Sequence, residues 1–110
     1  MKLGKIIIIL ILVFSCKFAF SQDIYLQGQL DCGLWIEGRS EKNSTALEHF
    51  VLGTFNGLSY GDKFNFWTMP YSISREQTYL WIDKYCRNNP LKSVINGIIE
   101  LFEQRKLESN

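Results

Sequence analysis

The sequence has few of the residues that most catalytic and metal-binding sites need. Its 110 residues include one histidine, His49, and three cysteines. A closed tetrahedral zinc site takes four ligands, usually Cys or His. Cys16 falls within a predicted signal peptide, described below, so Cys32, Cys86 and His49 would supply only three. The carboxylate next to His49 in the chain, Glu48, cannot face it on a helix, because adjacent helical residues point in different directions. The sequence therefore predicts a protein that is not an enzyme and that binds no metal or other cofactor.

The chain also lacks an excess of positive charge and a long apolar run. Twelve basic and eleven acidic residues give a net charge of +1, and the basic residues are scattered. The apolar run from Ile6 to Phe14 falls well short of the roughly 20 residues that a membrane-spanning helix needs. These absences argue against nucleic acid or an anionic membrane as the main partner, and against a membrane span.

The short apolar run has instead the form of a secretory signal peptide. Lys2 and Lys5 precede it, and Ala19-Phe20-Ser21 places small residues at the two positions that a signal peptidase reads. Lipidation of Cys16 is the alternative route, although Phe14 is bulky for that pattern. Export with cleavage before Gln22 predicts a periplasmic or secreted protein.

Cleavage before Gln22 would divide the chain into a signal peptide, residues 1–21, and one domain, residues 22–110. It would remove three of the twelve basic residues and none of the eleven acidic ones, which leaves a net charge of about −2. No internal repeat or linker divides the remaining chain further.

Two cysteines, Cys32 and Cys86, remain after this cleavage. An even number of cysteines in a small exported domain predicts a disulfide. Closing a loop of 54 residues would restrict the unfolded chain by roughly 4 kcal/mol in the loop-entropy model. A zinc site, a thiol nucleophile and two unbridged buried thiols are the alternatives.

The clearest predicted helix runs from Arg75 to Asn88. Ser74 and Gln77 form a capping box at its start, and Pro90 forces the residue before it out of helical geometry. Its apolar face carries Tyr79, Ile82 and Cys86, so the cysteine should point into the core.

Three further helices are predicted. A brief one covers Asp31–Arg39, for which a strand is the alternative, and residues 22–30 remain undecided between an extended segment and a helix start. A second begins with a Thr45/Glu48 capping box and ends near Tyr60, where Gly61 would cap it.

The last helix is predicted to begin at Asn89-Pro90 and to end near Leu107, with Arg105 facing water. These elements together predict an all-α fold, in which three main helices and a short N-terminal helical turn are linked by one disulfide.

Three glycines fall inside predicted helices, which suggests close helix packing. Gly53 and Gly57 lie four residues apart on one side of the second helix, and Gly97 lies in the last. A helical glycine costs about 1 kcal/mol relative to alanine. We therefore expect another backbone to pass close to the Gly53 face.

The segment between Gly61 and Ser74, here called the aromatic connection, is rich in aromatic residues and has no helical period. Such a segment either packs down on the core or is kept for binding. If it binds a partner, the candidate contact residues are Phe66, Trp67 and Tyr71.

Three motifs resemble those of a known family of small periplasmic proteins, the Rap/Tai immunity proteins and their exported relatives. The motifs are Cys32-Gly33-x-Trp35-Ile36-x-x-Arg39, Val51-Leu52-Gly53-Thr54-Phe55-Asn56-Gly57 and Trp81-Ile82-Asp83-Lys84-Tyr85-Cys86-Arg87-Asn88-Asn89-Pro90-Leu91. The resemblance implies an all-helical, disulfide-linked domain. It also implies a protein that binds and neutralises a peptidoglycan amidase delivered by the type VI secretion system of a neighbouring cell.

The sequence leaves other functions open. The protein could be a structural or interaction protein of the cell envelope without a toxin partner. It could also be a periplasmic acid-stress chaperone, because its carboxylates would become neutral in acid and loosen the domain. A homodimer is compatible with each of these functions.

Overall fold

The computed structural model describes residues 2–4 and 28–110. Within residues 28–110, four helices follow one another: α1 (Cys32–Ser40), α2 (Thr45–Asp62), α3 (Arg75–Asn88) and α4 (Val94–Glu108). This part of the chain holds no strand, and an isolated antiparallel bridge joins Asp31 to Ser93. The prediction of an all-α domain with one short and three longer helices is confirmed, and the strand alternative for the first helix is wrong.

The predicted signal peptide, residues 1–21, lies outside the described residues apart from residues 2–4. The cleavage site before Gln22 and the alternative lipid site Cys16 also lie outside them. Residues 28–30 are not helical, and the side chain of Leu30 lies in the core.

Helix α3 has the boundaries that its local sequence predicts. The Ser74 hydroxyl accepts a hydrogen bond from the Gln77 backbone N–H at 3.1 Å, and the Gln77 side chain accepts one from the Ser74 N–H at 2.8 Å. This reciprocal capping box satisfies two N–H groups that have no partner within the helix. Helix α3 packs against both α1 and α4, while α4 also packs against α2.

The predicted ends of α2 need correction. Its N-cap is Ser44, and the expected Thr45/Glu48 capping box is absent. The carboxylate of Glu48 instead accepts hydrogen bonds from the Ser44 hydroxyl at 2.6 Å and from Arg39 at 2.9 Å. At the other end the helix continues through the expected Gly61 cap to Asp62, and Lys63 takes the left-handed conformation with a φ of 51°.

The last helix begins later than predicted. Residues 89–92 form a turn, in which the Lys92 N–H donates to the Asn89 carbonyl at 3.1 Å, and α4 starts at Val94 with Ser93 as its N-cap. The cause is pairing with the segment before α1. The Cys32 N–H donates to the Lys92 carbonyl at 3.0 Å, and the Val94 N–H donates to the Leu30 carbonyl at 2.8 Å. These bonds hold the chain out of helical geometry through residue 93.

The predicted disulfide between Cys32 and Cys86 is present. It joins the first turn of α1 to the last turn of α3, with the two Cα atoms 4.9 Å apart and both side chains buried. Around it lies one apolar core, whose largest fully buried side chains are Trp35, Phe55, Phe66, Phe102, Ile82 and Ile98. The bond therefore links the chain before the aromatic connection to the chain after it.

The three helical glycines do not all mark close helix packing, as the sequence suggested. Within the described residues, a Cβ added at Gly53 or Gly57 would meet no atom within 4 Å, so no backbone passes close to them. Gly97 is different, because a Cβ there would lie 2.7 Å from Cδ1 of Tyr85. The close approach is that of a tyrosine ring on α3, which lies directly against the backbone of α4.

This difference predicts opposite effects for two glycine-to-alanine substitutions. Gly53→Ala should stabilise the domain by about 0.5–1 kcal/mol, because alanine has the higher helix propensity and the site is open. Gly97→Ala should destabilise it by about 1–3 kcal/mol, because the new methyl group overpacks against Tyr85. Urea denaturation of both variants measures the two changes. A loss of stability in Gly53→Ala would contradict the open environment of that face.

Candidate functional site

The aromatic connection is anchored in the core by Phe66. The Phe66 ring stacks between two others, with ring centroids 4.2 Å from Phe55 on α2 and 5.9 Å from Phe102 on α4. Its side chain has no exposed surface. The expectation that Phe66 contacts a partner directly is therefore corrected: this residue holds the segment in place.

A buried arginine fixes the backbone of the segment. Arg105, on α4, is 3% exposed. It donates from Nε to the Phe66 carbonyl at 2.9 Å and from its second terminal nitrogen to the Tyr71 carbonyl. The guanidinium carbon also lies 5.3 Å from the centre of the Phe66 ring and 5.0 Å from that of Tyr71. One side chain thus holds both ends of the stretch from Phe66 to Tyr71.

The charge of Arg105 is held without a carboxylate within hydrogen-bonding distance in the described chain. The pKa of Arg105 is lowered from its ordinary value, chiefly by burial. The electrostatic influence of Tyr71 and Glu108 and the hydrogen bond to Tyr71 act in the opposite direction and only partly offset this effect. A guanidinium nevertheless keeps its proton in proteins. Two carbonyl acceptors and two aromatic faces therefore replace the water that the buried cation has lost.

Trp67 closes the base of the segment. It is half-buried, and its indole N–H donates to the Asn56 side chain at 2.8 Å. Its carbonyl accepts a hydrogen bond from the Ile73 N–H at 3.0 Å, which brings the two ends of the intervening residues together. Trp67 therefore presents only part of its surface to solvent.

The tip of the segment, residues 68–72, is exposed and carries two large side chains. Met69 is 42% exposed and Tyr71 is 61% exposed, and the peptide bond between Met69 and Pro70 is cis. Of the three predicted contact residues, the structure thus buries Phe66, half-buries Trp67 and exposes Tyr71. The sequence missed Met69 as a neighbour of Tyr71 on the surface.

The sequence also placed Arg105 wrongly on the solvent side of the last helix. A signal for its true position exists in the spacing, because Arg105 follows Leu101 by four residues and Phe102 by three, and both of these are buried. Helical residues with these separations share a face. The charge of the residue masked this geometric signal.

A second polar cluster consists of Arg39 on α1, Glu48 on α2 and Asp83 on α3, and it lies beside Trp35. Asp83 is 7% exposed and accepts a hydrogen bond from the Trp35 indole at 2.8 Å. Arg39 donates to Asp83 from Nε and from a terminal nitrogen, both at 3.0 Å, and to Glu48 at 2.9 Å. Its guanidinium carbon lies 5.7 Å from the centre of the Trp35 ring and 5.6 Å from that of Tyr79. The hydrogen bonding that Arg39 donates to the Asp83 carboxylate is the largest cause of the raised pKa of Arg39.

This cluster holds three helices together through hydrogen bonds. The Asp83 carboxylate accepts from Trp35 and Arg39, and the Glu48 carboxylate accepts from Ser44 and Arg39. His49 is exposed, and residues 2–4 and 28–110 contain no group of three or more His, Cys, Asp or Glu residues that could hold a metal ion. The tip of the aromatic connection, which exposes Met69 and Tyr71, remains the candidate contact surface within the predicted segment.

Comparison of the chain with protein-family models, with curated proteins and with solved structures finds no match. Among the described residues, no helix has the length and apolar character that crossing a membrane requires. The disulfide is consistent with an oxidising compartment outside the cytosol.

Proposed function

We propose that this protein is an exported binding protein without catalytic activity, which inhibits a cell-wall-degrading amidase of a type VI secretion system. The proposal joins the motifs that resemble the Rap/Tai immunity proteins to one structural observation. That observation is the tip at residues 68–72, which exposes Met69 and Tyr71 while the backbone on both sides is fixed to the core.

Rigid presentation favours inhibition because it lowers the cost of binding. A flexible loop loses conformational entropy when a partner orders it, and this loss reduces the affinity. Here Phe66 and Arg105 have ordered the segment before any partner arrives. Aromatic side chains at such positions often supply a large share of the binding energy of an interface.

The compartment follows from the same proposal. The domain acts in the periplasm or after secretion, where the Cys32–Cys86 bond persists and where a peptidoglycan amidase meets its substrate. A homodimer would be compatible with inhibition if the tip remains free in each copy.

The double variant Met69→Ala/Tyr71→Ala should lose most of its inhibition. The neighbouring genes are first searched for an amidase, and the measurement is the residual activity of any such enzyme on purified peptidoglycan as a function of inhibitor concentration. If the tip contributes at least about 2 kcal/mol, as an interface hot spot does, the apparent Kd should rise about 30-fold.

Leu91→Ala provides the matched control. Leu91 is fully exposed in the turn between α3 and α4, at the end of these helices opposite the tip, so this variant should inhibit like the unmodified protein. Equal inhibition by the double variant and the unmodified protein would show that the amidase does not depend on contacts with the tip. No inhibition by the unmodified protein itself would contradict the amidase proposal and favour an envelope protein without a toxin partner.

A further inference from the structure

Two shallow hollows adjoin on the face where α3 packs against α4. Trp81 lies between them and lines both. The first hollow continues toward Tyr71 and Gln104, and the second toward Asn88 and Glu100. We call the two together the α3–α4 groove. They measure about 130 and 260 Å³, whereas a pocket that encloses a drug-sized molecule has at least about 300 Å³. The groove therefore suits small units of an extended ligand lying along the surface.

Trp81 forms a flat and rigid platform in this groove. It is half-buried, and its ring stacks on that of Tyr85 with a centroid distance of 5.6 Å and an interplanar angle of 11°. Tyr85 is itself fixed, because its ring lies against the backbone at Gly97. Within residues 28–110, no hydrogen bond engages the indole N–H of Trp81. The platform thus offers an apolar surface with a free donor at its edge.

Polar side chains with unused hydrogen-bonding groups surround this platform. In the described part of the chain, Lys84, Asn88 and Glu100 are exposed, and their side chains make no hydrogen bond. Asn89 donates its amide to the Tyr85 carbonyl at 2.9 Å, which leaves its side-chain oxygen unused. Amides and carboxylates can each bind two neighbouring hydroxyl groups of a ligand.

The charges of the groove favour a neutral ligand. Lys84 and Glu100 lie on opposite walls and carry opposite charges, so the second hollow has no excess of either sign that would attract a polyanion or a polycation. A neutral ligand that combines apolar C–H faces with many hydroxyl groups matches both the platform and its rim.

We propose that the α3–α4 groove binds a neutral glycan chain, with the C–H face of one pyranose ring on Trp81 and its hydroxyl or acetamido groups on Asn88, Asn89 and Glu100. A peptide fits less well. An extended peptide needs a sheet edge with free backbone groups, and both walls here are helices whose backbone groups are paired internally. A docking helix needs a row of apolar anchor sites, whereas this rim consists of amides and charges.

The test is an NMR titration of the ¹⁵N-labelled protein with chitotetraose, a neutral tetramer of N-acetylglucosamine. The protein has three tryptophans, so three indole N–H signals report on three places. Trp35 is fully buried and Trp67 bonds to Asn56. We expect the indole signal of Trp81 to shift and saturate with chitotetraose, while the signals of Trp35 and Trp67 stay in place.

Two variants and a control separate binding from folding. Trp81→Ala should weaken chitotetraose binding about tenfold or more, which corresponds to about 1.4 kcal/mol, and Asn88→Ala, at an exposed site, should weaken it several-fold without a change in unfolding midpoint. Tyr60→Ala removes a 90% exposed aromatic ring outside the groove and should leave binding unchanged.

The titration contains no amidase, so its outcome decides the glycan proposal alone. No shift of the Trp81 signal at millimolar chitotetraose would overturn it, as would binding that Asn88→Ala and Trp81→Ala leave intact. An equal shift with a neutral Gly-Ser tetrapeptide would assign the groove to peptides instead. Because no hydrolase is present, either result leaves the proposal of amidase inhibition to its own test.

Discussion

Replacing Cys86 by serine is expected to destabilise the domain by about 2–5 kcal/mol, enough to unfold most molecules at 37 °C. The Cys32–Cys86 bond closes a loop of 54 residues, and removing it frees the unfolded chain from that restriction. It also releases α1 from α3 at the centre of the core, because both cysteines are buried.

The measurement is urea denaturation of the oxidised protein, with Cys32→Ser and the double variant alongside. Because either substitution alone removes the whole disulfide, each single variant should lose nearly as much stability as the double variant. The two losses should therefore not add. Alkylation under non-reducing conditions, followed by mass spectrometry, checks the bond directly. Two alkylated cysteines per chain in freshly isolated protein would contradict the bridge. In that case Cys86→Ser would lower the free energy of unfolding by far less, since serine nearly matches cysteine in shape.

The helix that carries Cys86 could be predicted from sequence because its signals are local. A capping box at Ser74 and Gln77 starts α3, and Pro90 lies just beyond its last residue. The start of α4 could not be predicted in this way. It depends on hydrogen bonds from Cys32 and Val94 that pair two segments about 60 residues apart in the chain. Only the folded chain brings these segments together.

In the candidate site, too, local sequence signals predict one part and contacts between distant residues determine the rest. Its aromatic density marked the segment after α2, but composition does not tell which ring turns inward. Phe66 is buried because Phe55 and Phe102 form a slot for its ring, whereas the residues near Tyr71 are held at the surface by Arg105. Arg105 is nearly 40 residues from Phe66 in the chain. A charged residue on an apolar face was the one local sign of this contact.

The aspartate at the centre of the second polar cluster should also carry a large share of the stability. Asp83→Ala would leave the Trp35 indole and the Arg39 guanidinium without their common acceptor. Removing one partner of a buried ion pair costs about 3–5 kcal/mol. Arg39 retains Glu48 and is 25% exposed in its side chain, so we expect a loss near 3 kcal/mol.

Glu76→Ala is the matched control for Asp83→Ala, because it also removes one carboxylate from an arginine pair on α3. The Arg75–Glu76 pair has a similar distance, 2.8 Å, but both side chains are about two-thirds exposed. Solvent screens such a pair, and its loss should not change the urea midpoint measurably. Asp83→Asn should fall between the two, because the amide oxygen can still accept from Trp35 while the charge facing Arg39 is lost. If Asp83→Ala and Glu76→Ala gave equal midpoints, the cluster would contribute nothing beyond a surface ion pair, and α1 would be held to α3 by the disulfide and apolar packing alone.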